Sequence, residues 1–597
     1  MKTKRNKTKV VVSVMVLSAL VVFSLSGYAG KLEPSAPPGP TMKTLDEVEP
    51  RIPLLPRPQY EIGTDPNNLM IITKPGSYYL TGNIVGEPNK NGIKITANNV
   101  TVDLMGFSII GVPGSKDGLI MQYAQTDEPL PMEEVSFNFS IRNGTICNWG
   151  GDGIDAYDMF RMIEDDIAEG KILVHSNSEL LNVSVHGNVK TGFRGRQCYT
   201  RMEDVSFTYN GGNGIEAFDA YLKIEGGNIS NNDANGMCVG GDSYSHMEDV
   251  SFTYNGGDGM HILGMMTNVD AYGTTSGHNG GNGMYVNATG ESYVHMEQVS
   301  FNGNDGNGVE ILGMMTNVDA YSGYASNNGG NGMYVNVGGE AFIHMEDVSF
   351  TRNDANGVYI DADSYTHMED VAFTYNGGDG MHILGMMTNV DAYSTTTGHN
   401  GGNGMYVNTT GESYVHMEQV SFNGNDGNGV EILGMMTNVD AYGTTSGHNG
   451  GSGIIIDGSG DLNQCTVVGN GGSGIETGTG STVRNCTARG NTGDGIAVSS
   501  RCYVVGNTCE SNGVGVIGTT NPAGIRATGG ANRIESNHVI GNSVGIDIDA
   551  AGNLIIRNSA SGNITTNYEL ATDNTAGPAV GSGDIVSSSN PHANYEY

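Results

Sequence analysis

Six ionisable residues gather in the least regular part of this 597-residue chain. Asp152, Asp155 and Asp158 stand in "GGDGIDAYD", and Lys190, Arg194 and Arg196 follow in "VKTGFRGR". Carboxylates that hold a cation, beside a lysine or arginine that takes a proton, are the parts of a calcium-assisted lyase acting on an acidic sugar. They form a candidate catalytic site; ordinary loops with solvated charges would use the same residue types.

A second set of acids is periodic. Counting back eight residues from an asparagine that follows each "HMED"-like run gives an apolar residue, and the next residue is acidic: Glu203, Glu225, Glu248, Glu297, Glu346, Glu369 and Glu418. With a two-residue insertion, the intervening "TNVDAY" runs place Asp270, Asp319, Asp391 and Asp440 in the same column. The sequence therefore predicts a line of eleven carboxylates. Glu248, Asp270, Glu297, Asp319, Glu346, Glu369, Asp391, Glu418 and Asp440 are candidate calcium ligands within it. From Glu203 to Glu476 the only basic residues are Lys223 and Arg352. Carboxylates about 4.8 Å apart repel by about 0.9 kcal/mol in water, which calcium would relieve. A solvated face that keeps a long stack soluble is the plainer reading. The histidines of the same runs (His246, His295, His344, His367 and His416) mostly fall two repeats apart, about 10 Å, too far to share a metal. The methionines of "LGMM" and "MHIL" are read as inward, gap-filling core.

The elements that carry these residues are set by a repeat. Asn-x-x-x-Gly recurs from Asn188 to Asn491 at steps of 21 to 25 residues. "TYNGGDGMHILGMMTNVDAY" occurs unchanged at Thr253 and Thr374, an offset of 121 residues or five repeats. Short alternating runs such as "MYVN" and "GIIID", separated by glycines, are strands joined by tight turns. Three strands and three turns use about two dozen residues, so the repeat predicts an all-β parallel solenoid. The turn asparagines should then stack from coil to coil and bond through their amides.

Composition fits one such architecture: 92 glycines, 64 acidic and 28 basic residues, and a net charge of −36. That charge excludes nucleic-acid backbone binding as a main task. Residues 1–29 read as a signal peptide, with basic Lys2 to Lys9, an apolar run from Val10 to Leu25, and a small-residue cleavage site after Ala29. The expected location is extracytoplasmic, with no transmembrane span once the signal is removed. Residues 30–60 are a proline-rich linker, 61–565 the solenoid, and 566–597 a tail that caps it. The seven cysteines form no CxxC, and Cys465 and Cys486, one repeat apart, are read as buried stackers.

The opening "ITKPGSYYLTGNI" with "GIKITANNVTVDLMGFSIIG", and the ending "NPHANYEY", resemble secreted bacterial right-handed parallel β-helix proteins, whose fold pectate lyases and polygalacturonases share. The resemblance implies the fold across most of the mature chain. It does not bring an active site with it. No Asn-Thr-Asp, Asp-Asp and Gly-His-Gly set is present, and no Asp-His follows Trp149, the only tryptophan. The expected function is an exported β-helix that binds polysaccharide or a cell-surface glycan along an acidic face, with calcium as the one expected cofactor. A lyase or hydrolase acting from the irregular N-terminal coils is the alternative, and a structural stalk the third.

Overall fold

The computed structural model describes residues 51–54, 62–122, 135–157, 174–515 and 521–597. The stretch read as a signal peptide, most of that read as a linker, Asp158 and the bulk of the two N-terminal insertions lie outside them. Among the described residues there is no helix, so none is long and apolar enough to cross a membrane.

The chain winds into a right-handed parallel β-helix of about 20 coils. Each coil gives one strand to each of three parallel sheets. In one C-terminal coil these are Ile454–Ile456, Ser459–Asn463 and Thr466–Val468. The next coil lays Ile475–Thr477, Thr482–Arg484 and Thr487–Arg489 beside them. Strands alternate side chains between core and solvent, so like residues stack inside. One inward row of the second sheet runs Met247, Ala271, Met296, Ala320, all buried. A large residue in one coil type sits against a small one in the other, which fills the core without voids.

The asparagines stack as expected. Asn353 Nδ2 donates to Asn376 Oδ1 at 2.9 Å and to the Ala325 carbonyl at 3.1 Å, while Asn353 Oδ1 accepts from Asn328 Nδ2 at 2.9 Å. The glycine four residues on is required by closeness. A Cβ on Gly283 would lie 2.6 Å from the Gly308 carbonyl and 2.9 Å from Asn304 Nδ2. A second ladder runs beside the first at the residue just before that glycine. Asn235 Oδ1 accepts the Asp258 N–H at 2.7 Å, and Asn282 Oδ1 accepts the Asn307 N–H at 2.7 Å.

In the central coils, length varies at one place, the corner between the first and second sheets. In the central coils a single strand, such as Met284–Glu297 or Met333–Glu346, bends through this corner. The pairing shifts there between Ala288 and Glu291, and again between Gly313 and Thr316. Gly313 makes the bend at φ 145°, where a Cβ would strike the Ala288 carbonyl at 2.1 Å.

At the N-terminal end, Ile52–Pro53 pairs with Tyr78–Tyr79, within the stretch read as linker, and Leu54 is buried. At the C-terminal end, Asn594 accepts from Asn558 Nδ2 at 3.1 Å and Tyr595 donates its N–H to the Asn558 carbonyl at 2.7 Å. The tail is thus stacked on the last coils.

Candidate functional site

The eleven-carboxylate column does not exist. Strand pairing sets Glu248 beside Tyr272, and Tyr272 beside Glu297. Asp270 lies instead beside His246 and His295. The cause is the position of the length change. It falls before the second sheet, so counting back from the asparagine needs no insertion. Two residues of false insertion keep a side chain on the same face but move it one step along the strand. Asp319, Asp391 and Asp440 are displaced from the Glu297, Glu346, Glu369 and Glu418 row in the same way.

The outward face of the second sheet is a checkerboard of two coil types. One presents Tyr, His, Glu, as at Tyr293, His295 and Glu297; the other presents Asn, Asp, Tyr, as at Asn317, Asp319 and Tyr321. Stacked alternately, they make diagonal contacts. Tyr293 donates its hydroxyl to Asp319 Oδ2 at 3.0 Å, Tyr365 to Asp391 Oδ2 at 2.9 Å, and Tyr244 to Asp270. Burial and the bond to Asp319 push the Tyr293 phenol up to about 12. The rings of His295 and Tyr321 lie 5.6 Å apart, and those of His246 and Tyr272 5.4 Å. His344 and His367 sit in adjacent coils with ring centroids 5.1 Å apart.

The first row of this face lines a groove. Tyr221, Tyr244, Asn268, Tyr293, Asn317 and Phe342 border a cavity of about 660 Å3. Phe342, Tyr365, Asn389, Tyr414 and Asn438 border the next, of about 520 Å3. The two share Phe342, so the groove spans ten coils, about 43 Å. Its aromatic rings are only half covered: Tyr293 is 37% exposed, Phe342 44% and Tyr365 42%. The corner methionines form part of its wall. Met266, Met315 and Met387 are exposed, which corrects their reading as core; Met260 and Met381 of "MHIL" are the buried ones. The bend at the corner breaks the alternation from which the inward reading came.

The N-terminal candidates are brought together, apart from Asp158, which lies outside the described residues. Asp155 pairs in register with Arg194, and Arg194 with Glu216. Arg194 Nε is 3.2 Å from Glu216 Oε1, and its guanidinium lies 4.0 Å over the Tyr157 ring, with Arg196 at 5.6 Å. Asp152 Oδ1 accepts the Thr191 N–H at 2.8 Å, so this side chain is also a rung of the second ladder. Burial, only partly offset by that bond and by Lys190 and Arg194, raises its carboxyl above the ordinary range. Lys190 itself is exposed.

Two Asp–His pairs on the first sheet were not anticipated. Asp258 Oδ2 lies 2.7 Å from His261 Nδ1, and Asp379 Oδ2 the same distance from His382 Nδ1. His261 stacks on Tyr285, and His382 lies between Tyr359 and Tyr406. The signal was present in "DGMH": three residues apart across a turn, the carboxylate reaches forward to the ring. Among the described residues, no three His, Cys, Asp or Glu side chains converge as a metal site would require.

The family described as "Right handed beta helix region" matches residues 170–324, 324–446 and 439–590. No curated protein matches the chain. Among solved structures it is similar to the A-module of the mannuronan C-5 epimerase AlgE4 from Azotobacter vinelandii. The identity is 12%, over 84% of this chain and 91% of that one, with a TM-score of 0.20. The A-module of AlgE6 from the same organism follows at 14% identity, over 84% and 91%, with a TM-score of 0.16.

Proposed function

The chain belongs to the right-handed β-helix family, and on that footing we propose that it is an exported protein that binds a linear polysaccharide along the groove of its second sheet. The carrying observation is the row of half-exposed aromatic rings. Between Tyr244 and Phe342 an asparagine separates each ring from the next, giving a period of two coils, about 9.6 Å and roughly two linked pyranose rings. Each asparagine leaves a ring face open for a sugar to stack on, and its amide meets sugar hydroxyls. Ten coils in line suit a polymer better than a small molecule. Of the column expected to hold calcium, Glu346 and Glu369 remain as a neighbouring carboxylate pair without a basic partner.

The test is co-sedimentation and affinity electrophoresis with neutral, acidic and basic linear polysaccharides. Tyr293→Ala combined with Tyr414→Ala should weaken binding at least about tenfold, the loss of about 1.4 kcal/mol. Undiminished binding by a folded double variant removes the groove from consideration.

One observation favours a second reading, a lyase or hydrolase acting from the N-terminal coils: burial raises the Asp152 carboxyl while Arg194 stands nearby. Product release from an acidic polysaccharide, abolished by Arg194→Ala, would establish it.

A further inference from the structure

We propose that the polysaccharide held in this groove is polycationic, a linear chain of amino sugars whose amines are free and protonated. This rests on the groove reading above and adds the charge of the ligand.

The first argument is the charge of the walls. Asp219, Asp242 and Glu291 border the first cavity, and Glu340, Asp363 and Glu412 the second. None of the six makes an ion pair among the described residues. No lysine, arginine or histidine borders either cavity. On the other side of the aromatic row Asp270, Asp319, Asp391 and Asp440, each one step along the strand from an asparagine of the row, alternate with histidines, as Asp270 does with His246 and His295. The groove is thus an aromatic floor with one wholly acidic margin, and both favour a cation. Ring faces attract ammonium groups through their quadrupole, and the carboxylates of that margin add to the local potential.

The second argument is the scarcity of lysine and arginine nearby. Between residues 226 and 475 the chain has 28 acidic residues and one basic residue, Arg352. Arg352 is in a different place, after the third-sheet strand Ser349–Thr351 and 5.7 Å over the Tyr375 ring. The N-terminal end of the same face differs. There Arg201 is bound to Glu203 and Glu225, and Lys223 to Glu225. The six wall acids, left without ion partners, repel one another, and a polycation laid along them removes that repulsion.

The third argument is by exclusion. A uronic-acid polymer would bring carboxylates against carboxylates. A basic peptide satisfies the charge but not the regular two-coil period.

The experiment is titration of the mature chain with four oligomers at mildly acidic pH and low salt: a β-1,4-linked glucosamine hexamer, its fully N-acetylated counterpart, a β-1,4-linked uronate hexamer and hexalysine. The glucosamine hexamer should bind at least about tenfold more tightly than the other three, and high salt should erase most of that margin. Glu291→Gln, Glu340→Gln and Glu412→Gln together, all at exposed positions, should bring its affinity down to that of the acetylated hexamer without lowering the melting temperature. Equal binding of the acetylated and free-amine hexamers overturns the charge assignment and leaves the groove reading standing. Tighter binding of the uronate, or of hexalysine, overturns it in favour of an acidic glycan or a peptide. No binding by any oligomer overturns the groove reading itself.

Discussion

The coils from Ile454 to Asn563 and the coils before them share one fold and differ in what they show to solvent. The C-terminal coils have short strands of three to five residues. Their corners carry three asparagine ladders: Asn491 to Asn512 to Asn542, Asn507 to Asn537 to Asn558, and Asn532 to Asn553 to Asn574. Between residues 476 and 563 there are six acidic and six basic residues, and most of them pair, as in Arg557 with Glu535 at 2.8 Å and Arg526 with Asp547 at 2.9 Å. These coils demonstrate what stacking alone needs. The central coils keep one of the ladders and add exposed aromatic rows, exposed methionine corners and unpartnered acids. Nothing in the C-terminal coils requires those additions, so they are the part of the molecule that points to a ligand.

The largest effect should come from what the two regions share. Asn353 and Asn537 are both 1% exposed, and each links its coil to both neighbours. Leucine at either position strands buried amide and carbonyl groups, so each substitution should cost about 3 kcal/mol. The measurement is the urea midpoint, scaled by its slope. Losses that differ by more than about 1 kcal/mol would break the claim that one scaffold underlies both regions.

The second test sharpens the contrast. Tyr293 in the groove is 37% exposed, and Tyr503 in a C-terminal coil is 38% exposed. Alanine at either should change stability by well under 1 kcal/mol. Only Tyr293→Ala should weaken glycan binding, by about tenfold. Equal effects on binding would mean that exposed tyrosines anywhere on the helix serve alike.

Much of this was readable in the sequence, and the boundary of what was readable is physical. The 21-to-25-residue spacing of Asn-x-x-x-Gly led directly to the coil, because a ladder tolerates little change at that one turn. The face of the second sheet was misread because two unlike segments, "HMED" and "TNVDAY", had to be aligned without knowing which corner absorbs length. Pairing Glu248 with Tyr272 fixes it, and no property of either residue alone would. The methionines of "LGMM" were misplaced for a related reason: at a bend, alternation no longer tells inside from outside. Asp155 and Arg194 were picked out in the sequence, but Glu216, which Arg194 binds, was not; nor was the ladder bond of Asp152, since an aspartate there does the work that asparagine does in neighbouring coils.

The third test is pH, and it belongs to the C-terminal region. Burial pushes the Asp547 carboxyl up to about 6, against the pull of Arg526. An acid whose folded pKa exceeds its unfolded one binds its proton more tightly when folded. Its contribution to stability therefore falls as pH rises through about 6, and is recovered on acidification toward the ordinary carboxylate range. Asp547→Asn should flatten the stability profile between those limits by about 1 kcal/mol, less than the full shift because Arg526 is shared with Asp494 and Asp549. The readout is the wild-type profile minus the variant profile, which cancels the histidines. A difference of the opposite sign would show that the ion pair with Arg526 outweighs burial.

The smallest effect is expected at Glu346 and Glu369, where two coils of the same type meet and the alternation with tyrosine fails. The pairing His344 with His367 marks the same fault one step along the strand. Carboxylates at the coil spacing repel by no more than about 0.9 kcal/mol in water, and salt reduces this. Glu369→Gln should therefore raise the urea midpoint slightly at low ionic strength and not at high. Calcium separates repulsion from binding. The two carboxylates supply at least two of the six to eight oxygens the ion takes. A site so open should have a dissociation constant in the roughly millimolar class. Millimolar calcium should then stabilise the wild type beyond sodium of equal ionic strength, and the advantage should vanish in Glu346→Gln with Glu369→Gln. If calcium and matched sodium act alike on both proteins, this junction is a plain like-charge contact left where two coils of one type adjoin.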